Sequence, residues 1–125
     1  MKGRNKSLLT AKEEEIMNFF WDKGALFVKE IVTFYTVRKP HFNTISTIVR
    51  GLEEKGFLSH TNYGNSYKYY AVISREDFQT KSLDNVITKY FNNSPLLAVS
   101  SLVKKESISV NELKKLIKAV EHNGK

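Results

Sequence analysis

Cysteine is absent from the 125-residue sequence. Disulfides and thiolate-held metals are therefore excluded, and the composition suits a reducing compartment. No stretch approaches the ~18 consecutive apolar residues of a membrane-spanning helix. The first residues, MKGRNKSLLT, are basic without the apolar run of a secretion signal, so the expected location is cytoplasmic, with no membrane insertion. Low-complexity segments and fixed-period repeats are missing too. So are a glycine-rich phosphate loop, a Ser-His-Asp set and a nucleophile motif, and no enzyme is expected. His41, His60 and His122 stand in different elements without partners at ligand spacing, so neither a metal site nor a cofactor is expected.

Acidic residues are in the minority: 13 Asp and Glu face 20 Lys and Arg, a formal charge of +7. Such a surplus points to a polyanion (nucleic acid or an anionic membrane surface) or serves solubility. It is no simple basic tail, because residues 1–80 carry 12 basic against 9 acidic side chains and residues 81–125 carry 8 against 4. With 41% hydrophobic residues the chain can bury a core, and its length suits one domain or one small domain with an appendage.

Proline occurs twice, and both positions read as punctuation. Thr10 with Glu13 forms a capping box ahead of a helix with the stripe Ile16, Phe19 and Phe20, closed at Lys23-Gly24. Glu13, Glu14 and Glu15 fall in its first turn, where acids suit the helix dipole, and this explains them better than acid–base chemistry does. Trp21 reads as a packing residue whose indole N–H could alternatively reach a phosphate. A second helix is predicted over Val28–Arg38, burying Val28, Ile31, Val32 and Tyr35, with Pro40 as its stop. Asn43 or Phe42 opens a third helix that closes at Glu54-Lys55-Gly56. FLSHTNY-GN-SYKYYAVI, rich in aromatic and β-branched residues around Gly64-Asn65, reads as a two-stranded antiparallel hairpin.

The third helix is unusual on its outer side. Ile45, Ile48, Val49 and Leu52 fall within an arc of about 100°. Asn43, Ser46, Thr47 and Arg50 point the other way. Ser and Thr are poor helix formers, and Thr44, Ser46 and Thr47 crowd four positions, which an ordinary solvated face does not explain. In a DNA groove they do make sense: hydroxyls and Asn meet base edges, Thr methyl meets thymine methyl, and Arg meets guanine or phosphate. Three short helices followed by a hairpin form a winged helix-turn-helix.

The rest is helical. Ser74 and Asp77 can cap a helix running to about Asn93, Ser94-Pro95 restarts one, and Ser109 with Glu112 is another capping box. The apolar stripes are Leu83/Val86/Ile87/Tyr90/Phe91, Leu96/Leu97/Val99/Leu102/Val103 and Leu113/Leu116/Ile117/Val120. Short helices without a sheet do not easily close a core, so a second copy of the chain is the expected cover. The predicted fold class is mainly α with a small β hairpin. The expected domains are a winged helix-turn-helix at 1–74 and a helical dimerisation region at 75–125.

LTAKEEEIMNFFWDKG, NTISTIVRGLEEKGFLSH and SYKYYAVISREDF together resemble the penicillinase and methicillin-resistance repressors, a family that also includes copper-responsive repressors. The resemblance runs from about Leu9 to Glu121. It rests on Thr10, Glu13, Ile16, Met17 and Trp21, on Thr44 and Thr47, and on Glu54–Leu58, in that order and spacing. It implies a homodimeric repressor on double-stranded DNA, binding an inverted-repeat promoter operator, with dimerisation through the C-terminal helices. In the antibiotic-responsive branch it also implies a membrane sensor protease upstream, whose signal leads to cleavage of the repressor. Carried over, Asn43, Thr44, Ser46, Thr47 and Arg50 take the groove-facing positions, and Tyr67 and Lys68 the wing. Gly51 stands where relatives commonly have a basic residue. Ser101-Leu102 stands where the antibiotic-responsive repressors are cut at Asn-Phe. Copper-responsive relatives use cysteines, and this chain has none. Two classes of function remain open: a DNA-reading repressor, or a winged-helix interaction module that does not read DNA.

Overall fold

A computed structural model of the chain describes residues 9–123. The basic segment 1–8, read above as lacking a secretion signal, lies outside the described residues. The chain divides into two compact units between Ser82 and Leu83. The fold is mainly helical with a small antiparallel sheet, in keeping with the winged-helix expectation.

The first unit opens with α1 (Ala11–Lys23). Thr10 Oγ1 accepts from the Glu13 backbone N–H at 3.1 Å, and Glu13 Oε1 accepts from the Thr10 N–H at 2.9 Å. Both bonds of the capping box are thus made, and two of the helix's orphan donors are satisfied. Next come β1 (Leu26–Phe27), α2 (Val28–Thr33) and α3 (Phe42–Glu54), then β2 (Leu58–Tyr63) and β3 (Ser66–Ala71). Ile16, Met17, Ile31, Ile45, Val49, Leu52 and Phe57 are the largest fully buried side chains, so α1, α2 and α3 meet over one core with the sheet. Among the described residues no buried side-chain nitrogen or oxygen lacks a hydrogen-bond partner.

Two expectations need correcting. The sheet has three strands, in the order β1-β3-β2. The added strand pairs Leu26 with Tyr69 and Phe27 with Lys68, and two residues are too few to show a period in sequence. The second predicted helix ends at Thr33, well short of Arg38. Val32-Thr33-Phe34-Tyr35-Thr36-Val37 are all modest helix formers. Phe34 and Tyr35 instead pack on Phe19, with ring centroids 5.1 and 5.7 Å away. The Tyr35 hydroxyl donates to Glu15. Burial pushes that phenol's pKa upward, and the Glu15 carboxylate adds to the shift. Trp21 Nε1 donates to the Ile73 carbonyl at 2.9 Å, so its N–H serves the fold and not a phosphate.

The helix α4 (Arg75–Tyr90) follows the sheet. Ser74 Oγ accepts from the Asp77 N–H, so the serine is the cap. Phe78 is buried, 5.5 Å from the Trp21 ring and 5.9 Å from Phe57. This packing draws the start of α4 into the first unit, beyond residue 74.

In the second unit α4 ends at Tyr90, and Asn92 and Asn93 turn the chain in the left-handed region, φ 55° and 57°. Asparagine tolerates that conformation better than most residues. Then come α5 (Pro95–Lys104), capped by Ser94 with proline in its first turn, and α6 (Val110–Asn123). Ser109 and Glu112 form both bonds of their capping box, 2.9 and 3.0 Å. None of the second unit's residues whose exposure is described is buried.

Glu13 joins local and distant structure. Lys55 Nζ donates to its carboxylate at 2.7 Å. Partial burial pushes the Glu13 pKa up, but the bonds from Lys55 and the Thr10 backbone more than cancel this, leaving it below the ordinary glutamate value. Its charge therefore contributes stability that is present above the unfolded value and lost as pH falls through the folded one. Glu13→Gln keeps a capping acceptor and removes the charge. The variant should be less stable by up to about 1 kcal/mol near pH 7, with the gap closing near pH 3. Denaturant titrations at the two pH values check this.

Candidate nucleic-acid interface

The first turn of α3 is fixed by a residue that sequence reasoning passed over. His41 is the N-cap, and its Nδ1 accepts from the Asn43 N–H at 3.0 Å. Histidine lies outside the usual capping set of Ser, Thr, Asp and Asn, so the pattern did not reveal it. The helix closes in a Schellman motif: Phe57 N–H donates to the Leu52 carbonyl and Gly56 N–H to Glu53. Gly56 adopts φ 90°, which only glycine takes up at little cost.

Between these ends Ile45, Val49 and Leu52 are fully buried. Asn43, Thr44, Thr47 and Arg50 are exposed, while Ser46 is half-buried. Two internal bonds order the outer face. Thr47 Oγ1 donates to the Asn43 carbonyl at 2.9 Å, which leaves its lone pairs and its methyl facing out. Arg50 Nη1 donates to Ser46 Oγ at 2.9 Å, so the serine holds the guanidinium along the helix.

The hairpin stands beside this face. Gly64, at φ 63°, begins its two-residue turn, and Tyr63 pairs with Ser66 across it. Side chains alternate along β3, so Tyr67 and Lys68 take opposite faces of the sheet. The two wing residues named together from sequence therefore point to opposite sides of the sheet. Lys68 is half-buried, paired with Phe27, and its Nζ lies 5.5 Å from that ring's centroid. Tyr67 and Tyr69 share the other face with His60. Burial holds the Tyr69 phenol above its ordinary pKa and nearby Glu53 adds to this, with Arg50 as a partial offset.

A groove of about 420 Å³ separates α3 from the hairpin tip, its walls including Lys29, Ser46, Arg50, Asn62 and Tyr67. Lys29 was missed because a single exposed lysine at the second position of a short helix carries no sequence signal. The groove can take a narrow polyanionic strand: two cationic side chains face hydroxyls and amides, with aromatic walls. Gly51 has no atom within 4 Å of where a Cβ would stand, so sterics do not require glycine there. Among the described residues no cluster of His, Asp and Glu could hold a metal ion.

A family model described as penicillinase repressor matches residues 9–122. The chain belongs to the penicillinase repressor family. Among its relatives, the methicillin resistance regulatory protein MecI of Staphylococcus aureus strain N315 is 27% identical over 109 residues, covering 86% of this chain and 89% of MecI. MecI of Mammaliicoccus sciuri is 26% identical over the same shares. Membership in a repressor family makes this chain a transcriptional regulator. Among the described residues no helix is long and apolar enough to cross a membrane.

In this member of the family the cap of α3 can be tested directly. His41→Ala should cost about 1 kcal/mol of stability, and His41→Ser should restore it, since serine is a preferred cap. Thermal and denaturant unfolding of the three proteins give the comparison.

Proposed function

We propose that the chain is a sequence-specific DNA-binding transcriptional repressor, acting as a homodimer on an inverted-repeat promoter operator. The observation that carries this is the outer face of α3: Asn43, Thr44, Thr47 and Arg50 exposed above a fully buried apolar arc. On this reading α3 enters the major groove, and Thr47 offers acceptor lone pairs and a methyl group to base edges. The sugar-phosphate backbone follows the groove beside Tyr67, within reach of Lys29 and Arg50. Lys68 adds charge from the far side of the sheet.

Dimerisation is assigned to the second unit. Val86, Tyr90, Leu96, Leu97, Leu102, Leu116, Ile117 and Val120 are exposed there, Leu96 by 81% and Tyr90 by 68%. Ile87, Phe91 and Leu113 are half-buried. So much apolar surface on a monomer marks an interface. The setting is an antibiotic-response or related operon with a membrane sensor protease upstream, as the family resemblance and the methicillin-resistance relatives suggest.

The test is selection of duplexes from a random pool by the full chain, with sedimentation at micromolar concentration. Enrichment of an inverted repeat with half-sites about one helical turn apart, bound by a dimer, is expected. No enrichment, or a monomer, overturns the proposal and favours an interaction module. On the selected duplex Thr47→Ala should cost about 1–3 kcal/mol and relax preference at one base pair. Lys29→Ala should weaken selected and random DNA alike and lower the salt slope by about one, whereas Lys68→Ala, on the opposite face of the sheet, should lower it by less.

Release from DNA is the remaining part. Ser101 and Leu102 lie inside α5, where the Ser101 carbonyl accepts from Lys105 N–H at 3.2 Å. A protease pocket shaped for an aromatic ring loses roughly tens- to hundreds-fold in rate on a smaller side chain. The chain's Asn18-Phe19 dipeptide offers no substitute, being in α1 with Phe19 packed on Phe34. Protein isolated from induced cells should therefore carry no new terminus at Leu102 or Phe19. Mass spectrometry showing either one would make the Asn-Phe type of switch the working one.

A further inference from the structure

Beside the groove lies a cluster that neither the core nor the DNA-facing set accounts for. His60, on β2, projects between the hairpin and the last turn of α3. Its Nδ1 stands 2.8 and 3.1 Å from the two carboxylate oxygens of Glu53. Its ring lies flat on Tyr67, with centroids 4.0 Å apart and planes 14° apart, and 5.5 Å from Tyr69. The His60 and Glu53 side chains are about one-third exposed, 30% and 32%. The core is complete beneath them, with Leu58 and Tyr69 buried at 2% and 5% exposure.

A filler at this level could be any small side chain. Here an imidazole makes two directional contacts at once, one to the helix and one to the ring that walls the groove. Tyr67 is 47% exposed, and a side chain so placed would otherwise sample several rotamers. Across the groove Arg50 is held in the same manner by Ser46. Both walls are thereby ordered in the unbound protein.

We propose that His60 is a positioning residue for DNA binding: anchored by Glu53, it sets the Tyr67 ring, so this wall of the groove is formed before DNA arrives. This rests on the DNA-reading proposal above. The gain is the ordering cost of one side chain, spared at the moment of binding, which corresponds to roughly two- to tenfold in affinity.

The test uses the full chain and the duplex that the wild-type protein selects from a random pool. His60→Ala should weaken binding by about tenfold, at the upper end of that range, with little change in the unfolding midpoint. His60→Phe keeps a ring against Tyr67 and should recover most of the loss. In a Tyr67→Ala background, His60→Ala should cost nothing further, because its effect runs through that ring. Equal losses in both backgrounds, no recovery by His60→Phe, or unchanged affinity in His60→Ala would each overturn the assignment. If His60→Ala does not fold, His60→Gln, which loses the stack and keeps a donor for Glu53, replaces it in the same cycle. A wild-type chain that selects no duplex refutes the DNA-reading proposal and this one with it. A chain that binds normally with altered His60 refutes this one alone.

Discussion

Ile45, Val49 and Leu52 are withdrawn completely from water along one side of α3, and the rest of the candidate interface depends on that seating. Burying each such side chain contributes about 1.5–3 kcal/mol. Turning the helix by one residue, about 100°, would lift these groups out and drive polar ones in. The rotational setting of α3 is therefore locked by the core. What faces outward is the remainder of a hydrophobic decision, and Thr47 and Arg50 have their direction before any contact of their own is made.

The hairpin inherits its position from the same helix. The Schellman closure at Gly56 turns the chain straight into β2 and places Phe57 and Leu58 in the core. Glu53 then lies within reach of His60, and the tip of the hairpin comes to stand over the outer face of α3. Local backbone chemistry at one glycine thus sets the distance across a groove whose walls come from separate elements. The Glu13–Lys55 pair reinforces this corner from the side of α1.

Much of the fold could be read from sequence because its signals are local. Thr10/Glu13, Ser94-Pro95 and Ser109/Glu112 announce helix starts within three residues, and the structure makes each of those bonds. The apolar arc of α3 was legible for the same reason. Apart from the histidine cap of α3, the misses are decided by distant partners. The strand β1 exists only because β3 passes beside it. The helix α2 stops early because Phe34 and Tyr35 find Phe19. Of the candidate site, the α3 face was visible as a pattern. The separation of Tyr67 from Lys68 needed only strand alternation, whereas Lys29 and His60 needed the assembled groove. In the second unit the stripes were legible, and most of their side chains stand exposed.

Gly51 shows what this division of labour permits. It sits in the middle of α3, yet a side chain there would enter open space. The buried arc and the end of the helix would be untouched by the exchange. Holding the fold and gripping a partner are therefore tasks that evolution can adjust separately along one helix. On the DNA-reading proposal, a lineage can acquire or discard a positive charge at this position in a single mutational step, retuning the grip of α3 without first having to rescue its stability.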